Sequence, residues 1–206
     1  MHKKLLVTAY FVIAALLQTL AGNFPLSFFA FPLNVIVAVI WIYSLWRLYK
    51  EGNKLPLTRF LLSSRTSVLS ILLLIGGSLV IGLFPQLSEA EADSIPGVLA
   101  SLGCYNFMTS WIFIAILFLL LSNLAMVIIH AFYHCVPAKK RFILNHLGLW
   151  LALFAGFFGS SDVQTLRISL YAGQPGREAY SMDGKAYYLD YELELYSFNT
   201  EYYPNG

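Results

Sequence analysis

The chain has 206 residues, of which 58% are hydrophobic and only 12% charged, with a mean hydropathy of +0.68. A soluble domain carries roughly a quarter charged residues, so the composition excludes an ordinary soluble domain and points to a bilayer. The net charge of +2 is small, and the basic residues sit at the ends of apolar runs, so nucleic acid is not an indicated partner.

A spanning helix needs about 20 mostly apolar residues, and five stretches meet that test: roughly 5–21, 26–48, 68–84, 111–132 and 142–160. Lys3 and Lys4 precede the first, as in a secretory signal. Four further spans follow it and no small-x-small cleavage site precedes Asn23, so it is expected to be a retained helix. The segment 23–25 is a turn, and Pro32 is expected to kink the second helix. That helix ends in Trp41, Tyr43, Trp46, Arg47, Tyr49 and Lys50, an aromatic and basic interfacial anchor. The loop 51–66 is expected to hold a short surface helix around 57–62, and the loop 86–110 a short amphipathic piece around 96–102.

Charge gives these spans a direction. Lys3 and Lys4, then Arg47, Lys50, Lys54, Arg59 and Arg65, then Lys139, Lys140 and Arg141 mark three regions that the positive-inside rule places in the cytoplasm. The loop with Glu89, Glu91 and Asp93 lies outside. The tail after Ser160 is also acidic. The expected fold class is thus an α-helical polytopic membrane protein, N-terminus in and C-terminus out. A transmembrane domain, 1–160, precedes a β-rich extracytoplasmic segment, 161–206. Cys104 and Cys135 would sit on opposite faces, too far apart for a disulfide, and no CxxC or CxxCH motif occurs.

In the tail, 163–172 reads as a strand and 173–176 (GQPG) as a turn. Asp183 and Gly184 mark a hairpin, and 187–198 (YYLDYELELYSF) alternates with period two as a half-buried strand does. Three strands are too few to bury a core alone. The segment is therefore expected to be an incomplete domain, finished by further chain or by a partner.

Polar groups inside a span are costly and mark functional candidates. Asn123, His130 and His134 in the fourth span fall within about 40° of one another at 100° per residue, which makes one polar line. The two histidines, at i and i+4, have a spacing suited to a metal, although no nearby acid completes a ligand set. Equally, they are interfacial side chains reaching for head groups. In the fifth span His146 shares a face with Trp150, Leu153 and Phe157, while Gly148, Ala152, Ala155, Gly156 and Gly159 gather on roughly the opposite face. Small residues let a neighbouring helix approach. The imidazole and aromatic rings would then form an axial ligand and flat wall for a porphyrin. A histidine hydrogen-bonded between helices fits the same pattern. No hydrolytic or phosphate-binding constellation appears, and no catalytic residue is assigned.

The segments 110–123 (SWIFIAILFLLLSN), 141–148 (RFILNHLG) and 156–162 (GFFGSSD), leading into a strand, resemble the ResB/CcsB family of system II cytochrome c biogenesis. They look most like the form found in Bacteroidetes-type bacteria. The resemblance covers about 110–204 and implies a multi-pass protein of the cytoplasmic (inner) membrane whose C-terminal segment lies in the periplasm. It implies a partial, non-catalytic subunit of a holocytochrome c synthase (haem lyase). A CcsA-type haem-handling membrane protein and an apocytochrome c would be its partners, besides membrane lipid. It further implies transient binding of haem b, with His146 as the candidate iron ligand and His130 or His134 as a second contact. Lys139, Lys140 and Arg141 would meet the propionates. Most of the family's outer domain, its last span and the tryptophan-rich motif of CcsA are absent. A b-type electron-transfer subunit and a cofactor-free membrane scaffold remain alternatives.

Overall fold

The computed structural model describes residues 2–52, 55–87, 91–92, 94–134, 140–181 and 184–200. They fall into two compact units, Met1–Ser161 and Asp162–Gly206. The first is helical: α1 (His2–Ala21), α2 (Leu33–Lys50), α3 (Pro56–Leu61), α4 (Ser64–Leu83), α5 (Val98–Ser101), α6 (Trp111–Tyr133) and α7 (Lys140–Phe158). Short 3₁₀ turns cover Leu26–Phe29, Cys104–Thr109 and Ser160–Asp162.

Four of these helices, α2, α4, α6 and α7, are long and apolar enough to cross a membrane. The apolar part of α1, Leu5–Ala21, is shorter. α6 is apolar over most of its surface, as suits a helix at the centre of a bundle. It packs against α1, α2, α3, α4 and α7. Of its most apolar window 67% is buried, against 17–22% for the other three. Those three turn Val39, Leu72, Leu79 and Leu144 outward, a surface that suits a hydrocarbon solvent.

Several boundaries differ from expectation. Pro32 does not kink a continuous helix over 26–48; it precedes α2, which begins at Leu33, after a separate 3₁₀ turn. Proline lacks the N–H that a helix interior needs and fits a helix start. α4 begins at Ser64 rather than near 68, because Ser63 is extended and Thr66 donates to the Phe60 carbonyl. α3 is the short helix expected in the loop 51–66, with Pro56, Leu57 and Arg59 exposed and Thr58, Phe60 and Leu61 buried, and Thr58 Oγ1 donates to the Leu48 carbonyl at 3.1 Å. It is wedged beneath the spans and shares a core with Leu45, Leu119 and Met126. A second core joins Phe29 and Ala38 to Ile114, Phe157 and Phe158.

Interior polar side chains tie the helices through main-chain groups. Tyr10 Oη donates to the Ala115 carbonyl at 2.9 Å, Asn34 Nδ2 to that of Phe158 at 2.7 Å, and Trp150 Nε1 to that of Leu121 at 3.1 Å. Gln18 accepts from the Trp111 N–H and donates to Asn23 Oδ1, both at 2.9 Å. Gly103, at φ +75°, lies close beneath it: a Cβ there would stand 2.9 Å from Gln18 Nε2.

The second unit is an antiparallel sheet in the order β1 (Leu166–Ile168), β2 (Pro175–Ser181), β3 (Ala186–Glu194). The first strand is far shorter than 163–172. The chain turns at Tyr171, whose carbonyl accepts from the Gln174 N–H, and Pro175 and Gly176 open β2 rather than completing a turn. Ile168 and Tyr187 flank buried Ala179 in register. Arg177 pairs with Glu192 at 2.9 Å. At the hairpin Gly184, at φ +78°, donates to the Ser181 carbonyl; Asp183 lies outside the described residues.

Candidate functional site at the basic end of the bundle

The ends of α2 and α6 meet at one end of the bundle, where His130 and His134 stand, and α7 starts at the same end and carries His146 in its second turn. His130 lies in the last turn of α6, and His134 caps it. Their rings are 4.3 Å apart. His134 Nδ1 lies 3.0 Å from the His130 carbonyl, and His146 Nδ1 lies 2.8 Å from the Phe142 carbonyl. A carbonyl only accepts, so each ring donates from Nδ1, and the neutral form of each keeps its lone pair on Nε2. The Phe142 ring lies 3.8 Å from that of His146 and helps fix it.

His130 has a partner that its own helix does not reveal. The Tyr49 hydroxyl is 3.3 Å from His130 Nδ1, and the Tyr49 ring stacks on Tyr133 at 5.1 Å. Trp46 Nε1 donates to Tyr133 Oη at 3.3 Å, and Lys50 Nζ lies over both the Trp46 and Tyr133 rings. The aromatic and basic composition of the end of α2 marks it as an interfacial belt. The pairing across 81 residues has no counterpart in sequence spacing.

Asn123 does not share this environment. It is buried and donates from Nδ2 to the Leu61 carbonyl at 2.6 Å, so it joins α3 to α6. The polar line of 123, 130 and 134 is therefore divided between an interior clamp and an exposed end. Among the described residues no group of three or more His, Cys, Asp or Glu could hold a metal ion. Lys140 and Arg141 are exposed in the first turn of α7, about 8 Å along the axis from His146 at 1.5 Å per residue. Lys139 and Cys135 lie outside the described residues.

The two faces of α7 are the reverse of those expected. Trp150 stacks with Trp41 at 6.3 Å and with Phe154 at 4.7 Å, and Phe157 meets Phe118 edge-on at 5.2 Å. The aromatic face is thus packed against α2 and α6, whereas a Cβ added at Gly148 or Gly156 would meet nothing within 4 Å. Trp150 is half-buried, with its ring against Trp41 and Phe154 rather than turned outward. The space beside it, lined by Ile42, Ala125 and Leu147, is about 110 Å³, against about 300–1,000 Å³ for sites that take small molecules. His146 itself stays at the edge of the packed face, half-buried, with exposed Phe142 and Leu149 on its outward side.

The residues present therefore fit a haem in part. An Nε2 lone pair on an imidazole held by a second-sphere carbonyl is a suitable iron ligand, but no porphyrin fits between α7 and its neighbours in this chain. Fold and site together define a helical bundle of membrane-spanning dimensions, with imidazoles grouped at its basic end and a small antiparallel sheet as a second unit. No protein-family model, curated protein or solved structure matches the chain.

Proposed function

We propose that the chain is a membrane subunit of a system II type cytochrome c maturation complex, in which haem is cargo received at His146 and passed on for attachment to an apocytochrome. In this reading α1 is a fifth span, the basic end of the bundle faces the cytoplasm, and the sheet lies beyond the outer face of an inner membrane. The observation that carries it is the His146 ring, tied through Nδ1 to Phe142 so that Nε2 is held ready as a ligand. Lys140 and Arg141, at the N-terminal turn of the same helix, would attract the propionates. The closed contact on the inner face of α7 means that a porphyrin would lie on its outward side. There a CcsA-type partner would complete the pocket and supply the second ligand.

A permanently enclosed haem b between His146 and His130 or His134 is disfavoured by the same closed contact. The packed aromatic face favours one other reading, a scaffold without cofactor. Absorbance of the full chain purified from haem-replete cells separates them. The expected result is a Soret band that is lost or strongly reduced in His146→Ala. No band, or one unchanged by that substitution, overturns the haem reading and leaves the scaffold.

A further inference from the structure

A cluster of side-chain amides stands at the other end of the helical unit, where α1 ends and α6 begins. Gln18, in the last turn of α1, is polar and yet only 4% exposed. Its Oε1 accepts from the Trp111 N–H, and its Nε2 donates to Asn23 Oδ1. A main-chain N–H only donates, so this bond fixes which way the Gln18 amide points, and Gln18 in turn fixes Asn23. Each amide then keeps an uncommitted N–H, on Gln18 Nε2 and on Asn23 Nδ2. Both side chains line a cavity of about 170 Å³, as does Asn106, whose own amide has no hydrogen bond. Gly103 lines it too, and a Cβ there would stand 2.9 Å from Gln18 Nε2. Any larger residue would push that amide out of place, so the glycine is what lets the amide and the cavity coexist.

The free groups specify the occupant. Thr19 Oγ1 and Ser101 Oγ donate to the Leu16 and Gly97 carbonyls, so they offer the cavity only lone pairs. With Asn106 Oδ1 they make three acceptors, set against the three amide nitrogens of Gln18, Asn23 and Asn106. The main-chain groups beside them are spent: the Gly103 N–H donates to the Ala100 carbonyl, and the Asn106 N–H to that of Gly103. Among the described residues no charged side chain and no aromatic ring lines the cavity. A carboxylate or an ammonium group would lose hydration there without meeting a counter-charge. A peptide group brings one donor and one acceptor to six free groups. A hydroxyl both donates and accepts, so adjacent hydroxyls match such a mixed set. The volume is below the range of about 300–1,000 Å³ of sites that take whole small molecules, and suits one sugar ring or a group the size of glycerol. We propose that this cavity binds a neutral polyol group, brought by a free saccharide or by the sugar head group of a lipid.

Native mass spectrometry of the full chain in an amine-oxide detergent, which carries no hydroxyl, tests this. The probes are monoglucosyl diacylglycerol, diacylglycerol with the same chains, and methyl glucoside. Retention of one glucolipid per chain, about fivefold or more above diacylglycerol, the worth of one net hydrogen bond, assigns the lipid head group. Retention of one methyl glucoside assigns a free saccharide, and either result, or both, supports the proposal. Ala100→Leu fills the cavity, and Asn106→Leu removes a donor and an acceptor from it. Each is expected to weaken that binding about fivefold or more. Equal retention of the two lipids with no bound methyl glucoside overturns the proposal and leaves a cavity for water. So does undiminished binding in either variant whose helical circular dichroism is native. If one variant does not fold, the other decides.

Discussion

A polar side chain within an apolar helix has two fates in this protein, and the partner carbonyl decides which. Asn123 and His130 lie on one side of α6, yet Asn123 is a clamp because the end of α3 brings the Leu61 carbonyl to within 2.6 Å. That carbonyl lies 62 residues away, so the pairing has no signal in helical spacing. Gln18 and Asn34, clamps of the same kind, were open to detection as polar groups inside apolar runs. Replacing Asn123 by Leu leaves the Leu61 carbonyl without its partner and should cost about 1–2 kcal/mol. A lowered melting temperature in detergent is the expected readout, and an unchanged one would show that the bond contributes nothing. Cys104, in the 3₁₀ turn before α6, is a different case. Gln86 donates to its carbonyl, its side chain is buried, and burial pushes its thiol up. A raised pKa means less thiolate at neutral pH, and the thiolate is the reactive form. Labelling by a maleimide should be slower than that of an unhindered cysteine near pH 7 and should accelerate as the pH rises. Rapid labelling at neutral pH, at the rate of a free thiol, would contradict this placement.

For the helices, existence was legible and facing was not. Apolar length alone announced α2, α4, α6 and α7, and the aromatic and basic end of α2 announced one end of the bundle. In water the apolar side of a helix must turn inward, but in hydrocarbon both sides of α7 are acceptable outward, and packing alone selects. The rings of Trp41, Phe118 and Phe29 wait on α2, α6 and the turn before α2, so the aromatic side of α7 wins and the glycine side faces out. This has a measurable consequence. Trp150→Ala should destabilise the protein without any haem present, by about 3–5 kcal/mol as for other buried aromatic truncations, whereas Gly148→Ala should leave thermal stability nearly unchanged. If Trp150→Ala alters only haem absorbance and leaves unfolding untouched, the packed placement of that ring is wrong. Pro32 teaches a similar lesson: the residue announced a break, and only the neighbouring 3₁₀ turn decided between a kink and a start.

At the scale of the whole chain, the division into a helical unit and a small sheet was legible from composition, since apolar runs stop near Ser160 and period-two alternation begins. Among its described residues the three-stranded sheet has one buried side chain, Ala179. Its short first strand was not legible, because the turn at Tyr171–Gln174 depends on a bridge to Leu195 from the far end of the unit. In the helical unit, the start of α7 carries a constrained imidazole on the same helix as two exposed cations, and the proposed function rests there. Its most direct test is covalent haem attachment to a CxxCH reporter cytochrome, co-expressed with a CcsA-type partner and with this chain, with its His146→Ala variant, or without it. The reading predicts that the reporter matures with the native chain, falls sharply with His146→Ala and fails without the chain; equal maturation in all three would contradict it.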